Sequence, residues 1–204
     1  MTRLVSDIAF TDAVKARQVR HGSRTAFEAQ PDWQSQITEN LAEFLATRDS
    51  FYMATVSSDG QPYIQHRGGP RGFLKVLDPK TLGFADFSGN RQYISTGNLD
   101  GNDRVNLFFM EYANSQRIKL WGHAKAIDDD PELVAQLMPE GYRARPERAI
   151  VITVDAWDLN CPQHIPALYP MEVVQQATAK LTARIAELEA ENAELKQWMG
   201  KPED

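Results

Sequence analysis

The apolar residues of this chain change their spacing twice. Between Trp33 and Thr47 they recur at intervals of three and four, at Ile37, Leu41, Phe44 and Leu45. That spacing predicts an amphipathic helix, with Asp32 as its N-cap and Arg48-Asp49-Ser50 as its end. From Phe51 onward the period shortens to two. Phe51–Ser57, Pro62–His66, Phe73–Leu77, Thr81–Phe87, Arg104–Tyr112, Arg117–Ile127 and Ala149–Trp157 alternate or run apolar between polar breaks, which predicts strands. From Met171 the interval becomes seven and the pattern is helical again.

The breaks between strands carry turn chemistry. Asp59-Gly60 is a hairpin signal, and the first four strands read as a meander. Ala113-Asn114-Ser115 joins the next two strands, and Gly122 marks a bulge or a close approach. Asp128-Asp129-Asp130 caps a helix from Pro131 to Met138, with Pro131 in the permitted first turn. A short helix is expected over residues 91–99. Ahead of the strands, residues 1–32 are polar and mixed. A helix there starts at Thr11 or Asp12, and Gly22-Ser23-Arg24 breaks it. This segment reads as an arm packed on the domain; the alternative sends Arg24 to a neighbouring subunit. Strands with few helices predict a mainly β domain over residues 33–166, an antiparallel barrel or closed sheet.

In the tail, residues 171–199, Val174, Leu181, Leu188 and Leu195 lie seven apart, with Thr178, Ile185, Asn192 and Met199 at the complementary heptad position. A narrow apolar seam with an Asn at an a position predicts a short parallel coiled coil between two copies. The alternative is a helix packed on its own domain.

Composition narrows the classes. The chain has 204 residues and a net charge of −6, enough for one domain and unlike a general nucleic-acid binder. Its single cysteine, Cys161, excludes an intrachain disulfide and fits a reducing compartment. No stretch approaches the ~18 apolar residues of a membrane span, and Met1–Phe10 lacks a signal-peptide pattern. A cytoplasmic protein is expected. Four scattered histidines, His21, His66, His123 and His164, show no metal-ligand spacing.

Candidate chemistry concentrates between Gln61 and Arg91. Ser88-Gly89-Asn90-Arg91 joins a glycine turn to a cation and precedes a helix, an arrangement that seats an anion. Gln65, His66 and Arg67 end a strand before Gly68 and Gly69, where the backbone can approach a ligand closely. Asp86 lies nearby in sequence. The loop Asp158–Pro166 is dense in hydrogen-bonding groups, among them Asn160, Gln163 and His164. Cys161 and His164 together raise a nucleophile reading; the alternative leaves Cys161 as a small packed residue. Trp121 and Trp157 read as core.

The ordered segments FYMATVSSDGQPYIQ, FADFSGNRQYISTGNL, DRVNLFFMEYANSQRIKLWGHAKAI and AIVITVDAWDLNCPQHI resemble the pyridoxamine-phosphate-oxidase-like flavoproteins. The resemblance covers residues 33–166. It implies an FMN-binding split β-barrel, with the C-terminal helix appended, working as a homodimer with the flavin near the subunit interface. It implies that Asn90-Arg91-Gln92 stands where the oxidase has its phosphate-binding corner. Gln65 stands where its first flavin-binding Arg would fall, and Arg117 where a flavin-contacting Gln would. A cation at Arg117 beside the N1–O2 edge would raise the flavin's potential; the alternative is an ordinary strand-end Arg paired with Glu111. The Gly68–Gly72 insertion and the missing C-terminal substrate motif depart from the oxidase, so the resemblance points to a side branch.

The expected function is FMN-dependent oxidoreduction of a small molecule, with no catalytic residue assigned and neither nucleic acid nor membrane as partner. Two alternatives stand beside it: a non-catalytic flavin-binding or sensing module with a coiled-coil tail, and a haem-binding split barrel.

Overall fold

The computed structural model describes residues 4–199. They fall into two compact units, 4–110 with Gln116–Pro162, and Glu111–Ser115 with 163–199. In the first, seven strands form one antiparallel sheet. They are β1 (Ser50–Val56), β2 (Pro62–Gly68), β3 (Lys75–Asp78), β4 (Thr81–Phe87), β5 (Arg104–Glu111), β6 (Gln116–Ile127) and β7 (Pro146–Leu159). Their order is β2-β1-β5-β6-β7-β4-β3.

The expected meander is therefore cut in two. β1 pairs with β2 and β3 with β4, but these hairpins occupy opposite edges. The Gly68–Leu74 segment makes the crossing. It is pinned by Gly69 N–H donating to Asp49 O and Gly72 N–H to Arg48 O, and it delivers Phe73 and Leu74 into the core. Inside the sheet Phe51, Phe73, Phe84 and Phe109 pack ring on ring. Each such ring removes a large apolar area from water, and the four belong to one continuous buried core inside the curled sheet. Closure shows directly between β2 and β4, far apart in the strand order, where Arg67 reaches Asp86 at 2.6 Å.

The alternation in β7 buries Ile150, Ile152, Val154 and Ala156. Between Trp121 and Gly122 the β6–β7 register slips by one. A Cβ on Gly122 would stand 2.1 Å from Thr153 O, so the bulge exists only because no side chain is there.

Among the described residues five α-helices and one 3-10 turn, Val5–Ile8, belong to this unit: α1 (Asp12–Arg20), α2 (Arg24–Glu28), α3 (Glu39–Ala46), α4 (Ile94–Gly101) and α5 (Pro131–Leu137). Thr11 caps α1 and Asp130 caps α5, as their sequences predict. The helix expected from Trp33 starts six residues late. Thr38, not Asp32, caps α3 by accepting from Leu41 N–H. Asp32 instead accepts from the amides of Val5, Ser6 and Trp33. Gln34 bridges to Trp157 on β7, and Trp157 Nε1–H donates to Gln36 O. Pairing with the sheet outweighs helical periodicity over residues 33–37. The short helix α2 has no counterpart in the predicted elements. Its Arg24 bonds Glu28 and Gln18 of its own chain.

In the second unit α6 (Met171–Met199) is one continuous helix of 29 residues. No helix among the described residues is long and apolar enough to cross a membrane.

Candidate functional site

Closure of the sheet leaves two adjoining clefts between β2, β4 and the start of α4. One, about 180 Å³, is lined by residues including Gln65, Arg67, Asp86, Asn90, Arg91 and Ser95. The other, about 140 Å³, runs on past His66, Gly68, Phe73 and Phe84. Gln65, Arg67, Asp86 and Phe87 line both. On β2 the odd positions Tyr63, Gln65 and Arg67 are the less exposed set, which is how a period-two strand aims Gln65 and Arg67 at the clefts. Gln65 is fixed by Ser95 Oγ, which donates to its Oε1 at 2.8 Å.

The junction is an ion pair taken largely out of water. The Arg67 and Asp86 side chains are 11% and 12% exposed. Burial pushes the Asp86 carboxyl up from its ordinary value, against the pull of Arg67 and Arg148. Burial likewise pulls the Arg67 guanidinium down, against the support of Asp86. Both directions say that the pair does not recover its full hydration. Arg67 Nε is buried and has no hydrogen-bond partner among the described residues.

The corner after β4 is backbone-strained. Arg91 and Tyr93 adopt φ of 59° and 54°, the left-handed region that costs a non-glycine residue about 1 kcal/mol or more. Asn90 holds the turn by accepting from Gln92 N–H. Arg91 Nε donates to Tyr93 Oη at 3.0 Å, the main reason its guanidinium is held above its ordinary value. Opposite stands β7, in register with β4 so that Asp86 faces Arg148. Arg148 contacts Asp86, Asp128 and Glu147 and lies 5.1 Å from the Tyr93 ring. Glu147 accepts from Ser88 Oγ, which is the leading reason its carboxyl is held low. The guanidiniums of Arg67 and Arg148 thus meet the carboxylates of Asp86, Asp128 and Glu147, with Arg91 in the same cleft lining as Asp86 and Glu147.

The structure therefore brings together Gln65, His66, Arg67, Gly68, Asp86, Asn90 and Arg91 from the sequence-derived set. Ser88 and Gln92 sit at the corner but spend their polar groups on Glu147 and Asn90. Gly69 lies outside both cleft linings, and a Cβ there would lie 2.7 Å from the Phe73 ring, so its bareness admits Phe73 to the core. Arg117 lies on β6, outside both cleft linings, with its carbonyl accepting from Asn160 N–H. Gln163 and His164 belong to the second unit. Cys161 is exposed.

Arg148, Glu147, Tyr93, Ser95 and Thr96 were not singled out from the sequence. One signal pointed to Arg148: carrying the even phase of Ile150, Ile152 and Val154 back by two positions places it on the same face. A larger cavity than either cleft, about 570 Å³, lies elsewhere, lined by Leu4, Val5, Trp121, His123 and Asp155 among others. There His123 is held between Asp103 at 2.8 Å and Asp155 at 3.1 Å, so its polar groups already have partners. Among the described residues no cluster suits a metal ion.

The family model for pyridoxamine 5'-phosphate oxidase matches residues 37–161, more than half of the chain. The chain belongs to the pyridoxamine 5'-phosphate oxidase-like family. Its curled seven-stranded sheet is that family's split barrel. Among solved structures with a similar fold is HupZ of Group A Streptococcus, at 19% identity over 65% of this chain and 99% of that chain, TM-score 0.49. An FMN-binding protein of Syntrophomonas wolfei matches at 13% identity over 75% and 98%, TM-score 0.46. HutZ, the haem storage protein of Vibrio cholerae, matches at 17% identity over 61% and 94%, TM-score 0.44. No curated protein matches the chain.

Proposed function

We propose that this chain binds FMN in the paired clefts and works as a flavin-dependent oxidoreductase on a small molecule. The observation that carries the reading is the unpaired, buried Nε of Arg67 at the junction of the two clefts. A buried donor without an acceptor costs about 1–3 kcal/mol, and a flavin's oxygen- and nitrogen-rich ring edge or ribityl chain supplies acceptors. The corner at Asn90 and Arg91, with Gly89 open beside it, fits the phosphate. Arg supplies charge-assisted donors, and the first turn of α4 adds backbone amides.

Neither cleft alone reaches the roughly 300 Å³ typical of a small-molecule site. A second copy closing the open side fits that shortfall, with Arg117 and Asn160 as its contribution to the other copy's flavin. Bound flavin would supply the hydride-accepting and hydride-donating chemistry. The chain's own part is to hold the phosphate at Arg91, fix one ring edge through Gln65 and Arg67, and keep the Arg67–Asp86 junction dry. Strand end, insertion and corner then form one wall, open to a flat substrate.

The test is the absorption spectrum of the purified full chain, alone and with added FMN, followed by reduction with NADPH or NADH and reoxidation by oxygen or quinones. A flavin spectrum with turnover supports the reading. Flavin binding without reduction by any donor would favour the sensing module. A Soret band on adding haemin, with no flavin uptake, would replace the proposal with haem binding.

A further inference from the structure

The helix α6 has no buried residue along its whole length. Leu181, Ile185, Leu188 and Leu195 are 66%, 55%, 40% and 58% exposed, and they fall on the a and d positions of one heptad frame. A straight helix of this length spans roughly 43 Å. A chain does not leave such a seam in water without a partner shaped to it. The charged residues beside the seam say what that partner is.

With Leu181 and Leu188 at d, Arg184 and Glu191 occupy g, and Glu189 and Lys196 occupy e. In a parallel, in-register pair each g residue faces the e residue five positions on in the other helix. Arg184 then meets Glu189 of the second copy, and Glu191 meets Lys196. Two-fold symmetry repeats both contacts, and all are between opposite charges, the arrangement that sets partner and orientation in coiled coils. Asn192 completes the argument. Its side-chain amide now turns back on its own helix, donating to Leu188 O at 3.0 Å. In a parallel pair two Asn192 side chains meet and satisfy each other. In an antiparallel pair a positions face d positions, so Asn192 would be buried against a valine or leucine. That leaves a polar group without a partner.

We propose that α6 is one half of a parallel, in-register, two-stranded coiled coil formed with a second copy of this chain. The inference is independent of what the clefts bind. It makes the tail a register-specific tether that joins two copies at the same end, adding to any contact between the barrels.

Cysteine cross-linking in the full-length protein tests it, on a Cys161→Ser background. Leu195→Cys sits on the seam near one end. In the parallel register the two thiols come within disulfide reach, near 5–6 Å between Cα atoms, and mild oxidation links nearly all chains as dimers. An antiparallel pair sets those positions tens of ångströms apart by the helical rise, and no link forms. Ala190→Cys, on the opposite face, is the control and stays unlinked. Glu189→Lys should slow the Leu195→Cys link severalfold, and the added Arg184→Glu should restore it. No dimer at Leu195→Cys, equal linking at Ala190→Cys, or indifference to the charge changes would each overturn the proposal. The seam positions are exposed in the single chain, so these substitutions leave the fold intact, which the unchanged helical signal by circular dichroism would confirm.

Discussion

Replacing Arg67 with Ala tests the physics of the clefts without any cofactor. The change removes the cation 2.6 Å from Asp86 and leaves a carboxylate that is 12% exposed without its nearest partner. Breaking a buried pair by deleting one member costs about 3–5 kcal/mol. Here Arg148 Nε still stands 3.7 Å from the other carboxylate oxygen, so the loss should fall near 3 kcal/mol, the lower bound. Burial already pushes the Asp86 carboxyl above its ordinary value; without Arg67 it rises further. A carboxyl whose folded value is raised binds its proton more tightly in the folded state. The resulting deficit is greatest above the folded value and shrinks as pH falls through it toward the unfolded value. Urea unfolding of FMN-free protein, at neutral and mildly acid pH, reads both effects while keeping ligand linkage out. The Arg67→Met/Asp86→Leu double variant, which removes both charges at similar volume, should recover most of the loss. A single-variant loss below about 1 kcal/mol, the range of exposed pairs, would refute the account. So would a double variant no better than the single, or a deficit that grows on acidification.

Three further outcomes are expected. Gly122→Ala forces a Cβ toward Thr153 O at 2.1 Å; the β6–β7 bulge must open, and the midpoint of unfolding should drop by the equivalent of about 3 kcal/mol or more, whereas a neutral result would mean that the bulge is absent. Arg91→Ala should weaken FMN binding tenfold or more, since a charged hydrogen bond is worth roughly 1.5–3 kcal/mol; fluorescence titration reads it, and unchanged affinity would remove the phosphate from this corner. Although burial pushes the Asp32 carboxyl up, the Ser6, Val5 and Trp33 amides outweigh it and hold it below its ordinary value. Its contribution is therefore present above the unfolded value and lost as pH falls through the folded one. Asp32→Ala should lower the protection factors at Val5 and Ser6 severalfold, and acid should do the same to the parent chain once the slower intrinsic exchange is divided out; protection factors that ignore both changes would show that Asp32 does not hold this segment.

The site divides along the same lines as the fold. The corner from Ser88 to Gln92 and the strand end from Gln65 to Gly68 were legible because each is a short run of turn-forming and cationic residues. Their meeting was not. Arg67 and Asp86 come together only when the sheet curls, and nothing in either strand states which distant residue will stand opposite. Through the β4–β7 register Glu147 reaches the lining of one cleft and Arg148 reaches the Asp86 carboxylate. At Gly69 the close approach that the structure shows is that of Phe73, since a glycine announces close approach without naming what approaches.

The strand periods, the caps at Thr11 and Asp130, the bulge at Gly122, the heptad frame of α6 and the family are all written in the order of the residues. They depend on residues within a turn or a strand of one another, or on the succession of segments along the chain. Three-dimensional packing was needed to part the β1–β2 and β3–β4 hairpins to opposite edges. It was also needed to extend residues 33–37 along β7 rather than coil them, and to set Asp32 on the N-terminal segment rather than on a helix. Each of those choices is a competition between a local preference worth tenths of a kcal/mol per residue and the burial of whole side chains worth about 1.5–3 kcal/mol each. Burial is the stronger of the two, and it is settled only when distant segments meet.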